Sequence, residues 1–197
     1  MKKLLTLMFL ASAMLYMGSC GAKQSGSKKD ATNTNESIQG AFFGVSFGAS
    51  KDEVLNAFAA HDFYLETRLS TEEYLPFSYQ KSQYFSFGGL DWEEVNVFLT
   101  NGKFFYIEFY HTFKDKAQAI QKCESILSTV SQKYNLTKEE PTDSTRYMVF
   151  TGKSKKEPNR EVIVTAYRYE SIGKDIYYTA SLIYQDDSYS NYVSDEL

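Results

Sequence analysis

The sequence predicts one α+β domain made of two helix-then-antiparallel-strand units (an α-β-β-β type repeat), which form an antiparallel sheet with the helices on one face. Two observations lead to this fold class. The strand patterns come in consecutive runs with connections of hairpin length, which excludes an alternating α/β fold. Each run follows one amphipathic helical pattern. The domain is expected to span residues 38–186, long enough to bury a core without crosslinks.

The first unit opens with a short helix whose start is marked by a capping box. Ser50 can accept a hydrogen bond from the Glu53 amide, while the Glu53 carboxylate reaches back to Ser50. Val54, Leu55 and Phe58 then form the apolar stripe of this helix. Strands are predicted at residues 63–70, 79–87, 92–99 and 104–111.

The last two of these strands are joined by Asn101-Gly102, the strongest hairpin signal in the chain. A two-residue type I′ turn needs positive φ at both positions, which these two residues tolerate. In the preceding strand, Val95, Val97 and Leu99 occupy alternate positions, so one face of that strand is expected to be buried.

A longer helix, from about Lys114, opens the second unit. Apolar residues recur there at steps of three and four, as on an amphipathic helix: Ile120, Cys123, Leu127, Val130 and Tyr134. Strands are predicted to follow at residues 147–151, 161–169 and 176–184.

The first twenty residues resemble the export signal of a bacterial lipoprotein. Lys2 and Lys3 precede an apolar run, residues 4–16, that is too short to span a bilayer. The segment MGSC that ends at Cys20 resembles the lipobox of Gram-negative lipoproteins, which implies cleavage after residue 19 and acylation of Cys20. The alternatives are an ordinary secretory signal followed by an unrelated cysteine, and an uncleaved membrane anchor.

The residues after Cys20 indicate where such a lipoprotein would reside. Gly21 stands where an aspartate would imply retention away from the outer membrane, and no run of acids follows to imply display on the cell surface. The expected location is therefore the periplasmic face of the outer membrane. Residues 20–37 are polar and predict a flexible tether, and residues 187–197 predict a polar tail.

Charge and cysteine usage exclude several classes of function. The chain has 21 basic and 25 acidic residues, and its signal holds Lys2 and Lys3, so the mature chain has 19 and 25 and a net charge of −6. This balance argues against a nucleic-acid partner. Acylation of Cys20 would leave Cys123 without a disulfide partner. Two histidines and one thiol lack zinc-ligand spacing, so no metal or other cofactor is expected.

Two motifs suggest catalysis but lack its context. Residues 44–48 (GVSFG) match the G-x-S-x-G nucleophile elbow, yet almost no folded chain precedes Ser46 to supply an oxyanion hole. These glycines are better explained as a turn into the first helix. Ser78 and Lys81 fit S-x-x-K without its companion motifs. No catalytic residue is predicted, and a serine hydrolase acting through Ser46 is the least favoured alternative.

Two stretches resemble a loose group of uncharacterised outer-membrane lipoproteins of Gram-negative bacteria. They are residues 44–54, a glycine-bounded turn followed by a short helix, and residues 89–103, which include Asn101-Gly102. The similarity covers about residues 42–135 and implies architecture rather than activity. More distantly, the helix-then-strand halves resemble the β-lactamase-inhibitor-like fold and the small outer-membrane assembly lipoproteins. The latter carry Gly-x-Pro after the first helix, where this chain has residues 61–63 (HDF).

The aromatic content of the chain is unusual, with 16 Tyr and 15 Phe against one Trp. Aromatic residues favour strands, but an antiparallel sheet that carries helices on one face leaves the other face open. Phe98, Tyr167, Tyr169 and Tyr177 are the candidates for that open face, where tyrosine is typical of protein interfaces. Packing in the core or between strands is the default interpretation for each of them, because the sequence does not assign their face.

These observations together predict a non-enzymatic, lipid-anchored binding module. Its aromatic sheet face would contact a protein or peptide partner, and the membrane would be contacted through the lipid alone. A glycan-binding accessory protein that uses the same aromatic residues is the alternative.

Overall fold

The computed structural model of the chain describes residues 34–141, 143–171 and 174–189. The expected lipidation site Cys20, the predicted signal peptide and most of the predicted tether lie outside the described residues, as do residues 190–197 of the predicted tail. The described part contains two helices and thirteen strands, in the order β1 (Thr34–Asn35), β2 (Ala41–Phe42), β3 (Val45–Ser46), α1 (Lys51–Ala60), β4 (Phe63–Leu65), β5 (Tyr74–Tyr79), β6 (Phe85–Phe87), β7 (Leu90–Trp92), β8 (Glu94–Thr100), β9 (Lys103–Phe113), α2 (Lys116–Val130), β10 (Thr137–Glu139), β11 (Arg146–Ser154), β12 (Arg160–Glu170) and β13 (Ile176–Asp186).

Nine of these strands form one large sheet, in the order β1-β11-β12-β13-β9-β8-β5-β4, with β10 also paired to β11. Its neighbouring strands are antiparallel, except that β1 runs parallel to β11. Two small hairpins, β2–β3 and β6–β7, lie outside this sheet. A large antiparallel sheet with two helices confirms the coarse α+β prediction.

The predicted start of the first helix is confirmed. Ser50 is the N-cap of α1: its Oγ accepts from the Glu53 amide at 3.4 Å, and Glu53 Oε2 accepts from the Ser50 amide at 2.7 Å. The helix buries Val54 and Phe58, and the Phe58 ring stacks on Phe77 of β5 with centroids 4.3 Å apart. The capping box thus fixes where α1 begins, and the apolar stripe fixes which side faces the sheet.

The second helix is confirmed, but its buried stripe differs from the predicted one. Asp115 is the N-cap, and its carboxylate accepts from the Gln118 amide at 3.0 Å. The residues that α2 buries are Ala119, Cys123, Ile126 and Val130. Cys123 and Val130 are thus buried as predicted, whereas Ala119 and Ile126 are buried in place of Ile120 and Leu127, which lie half-buried at the edge of the stripe.

Two predicted strands of the first unit are wrong in their limits. The predicted strand 63–70 is a strand only over Phe63–Leu65. The predicted strand 79–87 combines the last residue of β5, a loop and the whole of β6. Most of β5 is missing from the prediction because Pro76 lies in it, and proline argues against a strand inside a sheet. Here only the short β4 lies beyond β5, so the sheet tolerates Pro76 near its edge.

The predicted repeat of two equivalent units is not confirmed. After α1, the chain inserts the separate β6–β7 hairpin between sheet strands β5 and β8, and α2 is followed by no such hairpin in the described part of the chain. The two halves meet where β9 pairs with β13, the last strand of each, over eight residue pairs from Tyr178↔Phe113 to Gln185↔Tyr106.

Both helices cover the same face of the large sheet. Phe77, Val95, Phe109 and Leu182 are successive cross-strand neighbours on that face, and all four are buried. The α1 side is marked by Phe58 stacked on Phe77. On the α2 side, Tyr134, just after the helix, contacts Tyr184 with ring centroids 6.2 Å apart. The opposite face of the sheet carries neither helix.

Candidate functional site

We refer to the sheet face opposite α1 and α2 as the helix-free face. Side chains alternate between the two faces along each strand, so cross-strand register assigns its members. Its central residues are Tyr74, Glu94, Asn96, Phe98, Tyr106, Glu108, Tyr110, Tyr167, Tyr169 and Tyr177. All four aromatic residues predicted for an open face therefore lie on this one surface.

Phe98 lies on the helix-free face in a half-buried position. Its ring packs between Tyr74, with centroids 5.0 Å apart, and Tyr106, with centroids 4.9 Å apart. The hydroxyl of Tyr74 donates to Asn96 Oδ1 at 3.0 Å, so the ring that covers Phe98 is fixed by a hydrogen bond. Phe98 therefore supports the surface rather than projecting from it.

Tyr169 and Tyr177 form an accessible aromatic pair at one end of the face. They are cross-strand partners on β12 and β13, and their rings stack with centroids 5.4 Å apart and planes 15° from parallel. The ammonium group of Lys114 lies 3.7 Å from the centroid of the Tyr177 ring. Tyr169 is 39% exposed, which makes this pair the part of the predicted site that a large partner can reach.

Tyr167 makes a contact that the sequence does not reveal. Its hydroxyl donates to Glu108 Oε1 at 2.9 Å. Because β13 lies between β12 and β9 in the sheet, the Tyr167 side chain extends across β13 to reach this carboxylate. Tyr167 therefore ties together the two strands on either side of β13.

Glu108 is the functional candidate that sequence reasoning missed. It lies in the middle of β9, is only 5% exposed, and has Asn96 and Ile183 as cross-strand neighbours. Burial raises the pKa of the Glu108 carboxyl, and this outweighs the lowering caused by the nearby Tyr167, Ser181, Asn96 and Arg146 side chains. The Ser181 hydroxyl lies near this carboxylate without forming a hydrogen bond of regular geometry.

A single acid within the segment FFYIEF, residues 104–109, is the signal that could have identified Glu108. Charged side chains are rarely buried without a partner, so one acid in an otherwise aromatic and aliphatic strand marks a special position.

A cleft of about 260 Å³ opens beside this carboxylate, and we call it the Glu108 cleft. One side is formed by the segment before and at the start of β11, and the other by residues of β9, β12 and β13. Its lining comprises Tyr106, Glu108, Asp143, Thr145, Arg146, Thr165, Tyr167 and Ile183. Arg146 Nε lies 3.7 Å from Asp143 Oδ2, so this exposed ion pair borders the cleft.

The helix-free face carries two acidic side chains, Glu94 and Glu108, among its tyrosines. Burial, together with the charges of Glu94 and Glu108, raises the pKa of Tyr74 to about 12. Burial and the Glu108 charge likewise raise the pKa values of Tyr106, Tyr110 and Tyr167. These phenols therefore stay protonated at neutral pH.

The surroundings of Ser46 do not form a nucleophile elbow. The preceding turn, Phe43 and Gly44 with φ values of 51° and 83°, closes the small β2–β3 hairpin. Within the described residues neither histidine bonds to Ser46: the His61 ring packs beside Phe43, and buried His111 bonds to a backbone carbonyl. The glycines of residues 44–48 thus serve as turn residues.

The serine and the lysine of the S-x-x-K motif bond to different partners. Ser78 Oγ donates to Glu66 Oε1 at 2.8 Å, whereas the Lys81 ammonium pairs with Asp62 Oδ2 at 2.5 Å.

The described residues also contain no group of three or more His, Cys, Asp or Glu side chains placed to hold a metal ion. Neither described helix is both long enough and apolar enough to cross a bilayer.

A scan against protein-family models found no match to this chain, and searches of curated proteins and of solved structures found none either. The resemblance to outer-membrane lipoproteins therefore stays a prediction.

Proposed function

We propose that this protein is a non-enzymatic binding module that holds a protein or peptide partner on its helix-free face. The observation that carries the proposal is the one-sided packing: both helices cover one face of the sheet, and the other bears Phe98, Tyr167, Tyr169 and Tyr177. A water-exposed sheet face usually carries simple polar residues. Tyrosine-rich surfaces are instead typical of protein interfaces.

The partner is tested with the double variant Tyr169→Ala/Tyr177→Ala, which removes the accessible ring pair. Wild-type and variant chains are used to capture partners from envelope extracts, and we expect the variant to lose a partner that the wild type retains. The matched control is Tyr84→Ala, because Tyr84 is 46% exposed and packs toward His111, away from the helix-free face. A double variant that retains every wild-type partner would contradict the proposal.

We further propose that acylation of Cys20 holds the module at the periplasmic face of the outer membrane. The proposal rests on the lipobox-like segment before Cys20 and the polar residues after it. Metabolic labelling with an alkyne fatty acid should mark the wild-type chain but not Cys20→Ser, and the variant should leave the membrane fraction. Cys123→Ser is the matched control and should keep the label. An unlabelled wild type would contradict the anchor.

A glycan-binding accessory role is the second candidate, and the stacked Tyr169–Tyr177 pair is the observation that favours it. Flat, partly exposed rings are surfaces on which sugar rings can pack. Saccharide binding on a glycan array that disappears in Tyr169→Ala/Tyr177→Ala would establish this role.

For hydrolysis through Ser46, the least favoured alternative, we expect a fluorophosphonate probe to leave the chain unlabelled.

A further inference from the structure

We infer that the Glu108 cleft binds a lysine or arginine side chain of the partner, so that the helix-free face selects basic peptides. This inference rests on the proposed function and specifies the chemistry of the ligand.

The Glu108 carboxylate lacks a charged partner. It is 5% exposed, yet in the described ranges of the chain no lysine, arginine or histidine lies within salt-bridge distance of it. Buried carboxylates are ordinarily paired, because removing an isolated charge from water is unfavourable. The hydrogen bond from Tyr167 satisfies one oxygen but brings no positive charge.

The walls of the cleft suit a cation. Tyr106 and Tyr167 both line it, and the faces of tyrosine rings attract cations electrostatically. The same surface already binds a cation in this way, since the Lys114 ammonium lies 3.7 Å from the Tyr177 ring centroid. Glu94, the cross-strand neighbour of Tyr110, adds a second acidic side chain to the same face.

The size of the cleft favours a single side chain. Pockets for drug-sized ligands usually measure about 300–1,000 Å³, and this cleft measures about 260 Å³. A lysine or arginine side chain is narrow enough to enter and brings its charge to the end of a long stem.

Arg146 lies at the border of the cleft and carries the same positive charge as the expected ligand. Its charge lowers the pKa of Glu108, but its guanidinium is paired with Asp143 rather than with Glu108. An entering basic side chain would experience repulsion from Arg146. Removing the Arg146 charge should therefore strengthen binding, the opposite of what removing the Glu108 charge should do.

The test is calorimetric titration of the full chain in detergent with pentalysine, pentaarginine and fully acetylated pentalysine. We expect both basic peptides to bind and the acetylated one not to bind. Glu108→Gln should weaken binding of the basic peptides by about tenfold or more, because it removes a charge-assisted contact. The matched control is Glu124→Gln, an equal change of charge at an exposed position of α2, and it should leave affinity unchanged.

Arg146→Gln keeps the inference testable even if Glu108→Gln does not fold, since Arg146 is exposed. We expect this variant to bind pentalysine several-fold more tightly than the wild type. Equal affinity of wild type, Glu108→Gln and Glu124→Gln would overturn the inference, as would equal binding of acetylated pentalysine. If basic peptides fail to bind while Tyr169→Ala/Tyr177→Ala still loses its partner, the ligand chemistry is wrong and the proposed function stands.

Discussion

The surroundings of Glu108 favour the neutral, protonated form of its carboxyl group. Desolvation raises its pKa, and the surrounding hydroxyls and amide reduce this effect without cancelling it. A glutamine could accept the Tyr167 hydrogen bond without introducing a buried charge. The presence of glutamate therefore suggests a role other than stability, as is common where buried groups have perturbed pKa values.

The first prediction concerns the stability of Glu108→Gln as pH changes. The folded-state pKa of Glu108 is raised above its ordinary value of 4.5, so the protonated form is favoured on folding. Wild-type stability from this group is then greatest below that value and is lost as pH rises through the folded-state pKa. Urea unfolding should show Glu108→Gln more stable than wild type at about pH 8, with the difference shrinking toward about pH 4.

The control for this measurement is Glu124→Gln, whose carboxylate is exposed on α2. It should follow the wild-type pH profile. A stability difference between Glu108→Gln and wild type that does not change with pH would contradict the assignment of a raised pKa to Glu108.

The second prediction concerns Cys123, which is a free and fully buried thiol in α2. Burial raises its pKa to about 12, and the neighbouring Glu124 charge adds to the shift. Since the thiolate is the reactive form, this thiol should resist alkylation. In the Cys20→Ser chain, iodoacetamide should label Cys123 only after denaturation. Rapid labelling of the folded chain would show that α2 opens readily from the sheet.

At the scale of single elements, features that depend only on neighbouring residues are predicted correctly from the sequence. The capping box at Ser50 and the Asn101-Gly102 turn each depend on neighbouring residues alone, and both are confirmed. The course of residues 63–92 depends on contacts that are distant in sequence. Pro76 lies within a strand there because β8 pairs with it across the sheet, which no local pattern shows.

The third prediction concerns the β8–β9 turn. Asn101 and Gly102 have φ values of 49° and 71°, in the left-handed region that disfavours residues with a Cβ atom. Gly102→Ala should lower the free energy of unfolding by roughly 1–2 kcal/mol. Gly102→Asn is the matched comparison and should lower it less, because asparagine tolerates this region. Urea unfolding of both variants checks the order; equal losses would contradict it.

At the scale of the whole molecule, the sequence predicts the face but not the cleft. Strand alternation and one-sided helix packing predict that an open face exists, and they make Phe98, Tyr167, Tyr169 and Tyr177 candidates for it without assigning the face of each. The Tyr167–Glu108 hydrogen bond joins residues 59 positions apart, across an intervening strand. Its existence depends on the order of strands in the sheet, and neither residue carries a motif that specifies that order.

The sheet also extends further toward the N-terminus than the predicted domain boundary at residue 38. Thr34 and Asn35 pair with β11, and Asn35 bonds to Asn135 through both side-chain atoms: Oδ1 accepts from the amide at 2.6 Å, and Nδ2 donates to the carbonyl at 3.2 Å. The prediction of a flexible tether over residues 20–37 is therefore wrong at its end, because Thr34 and Asn35 pair with the sheet and bond to the loop that follows α2.

The fourth prediction follows from that link. Asn35→Ala removes both part-buried hydrogen bonds to the backbone of Asn135, each worth about 0.5–1.5 kcal/mol, so we expect a loss of about 1–3 kcal/mol in the free energy of unfolding. Chemical denaturation provides the measurement. Asn159→Ala, at an exposed position, is the control and should change stability by less than about 0.5 kcal/mol. An unchanged Asn35→Ala variant would show that the segment contributes nothing to the fold.

Because Glu108 has no charged partner among the described residues, a ligand that pairs with it should raise the melting temperature of the domain. A compound that binds only the folded chain stabilises it by about 2.7 kcal/mol when present at a hundred times its dissociation constant. In a domain of this size, each kcal/mol raises the melting temperature by about 2–4 °C. A thermal-shift screen can therefore search for the natural ligand among unknown candidates. Compounds that raise the melting point more in weakly alkaline than in acidic buffer would be those that neutralise Glu108.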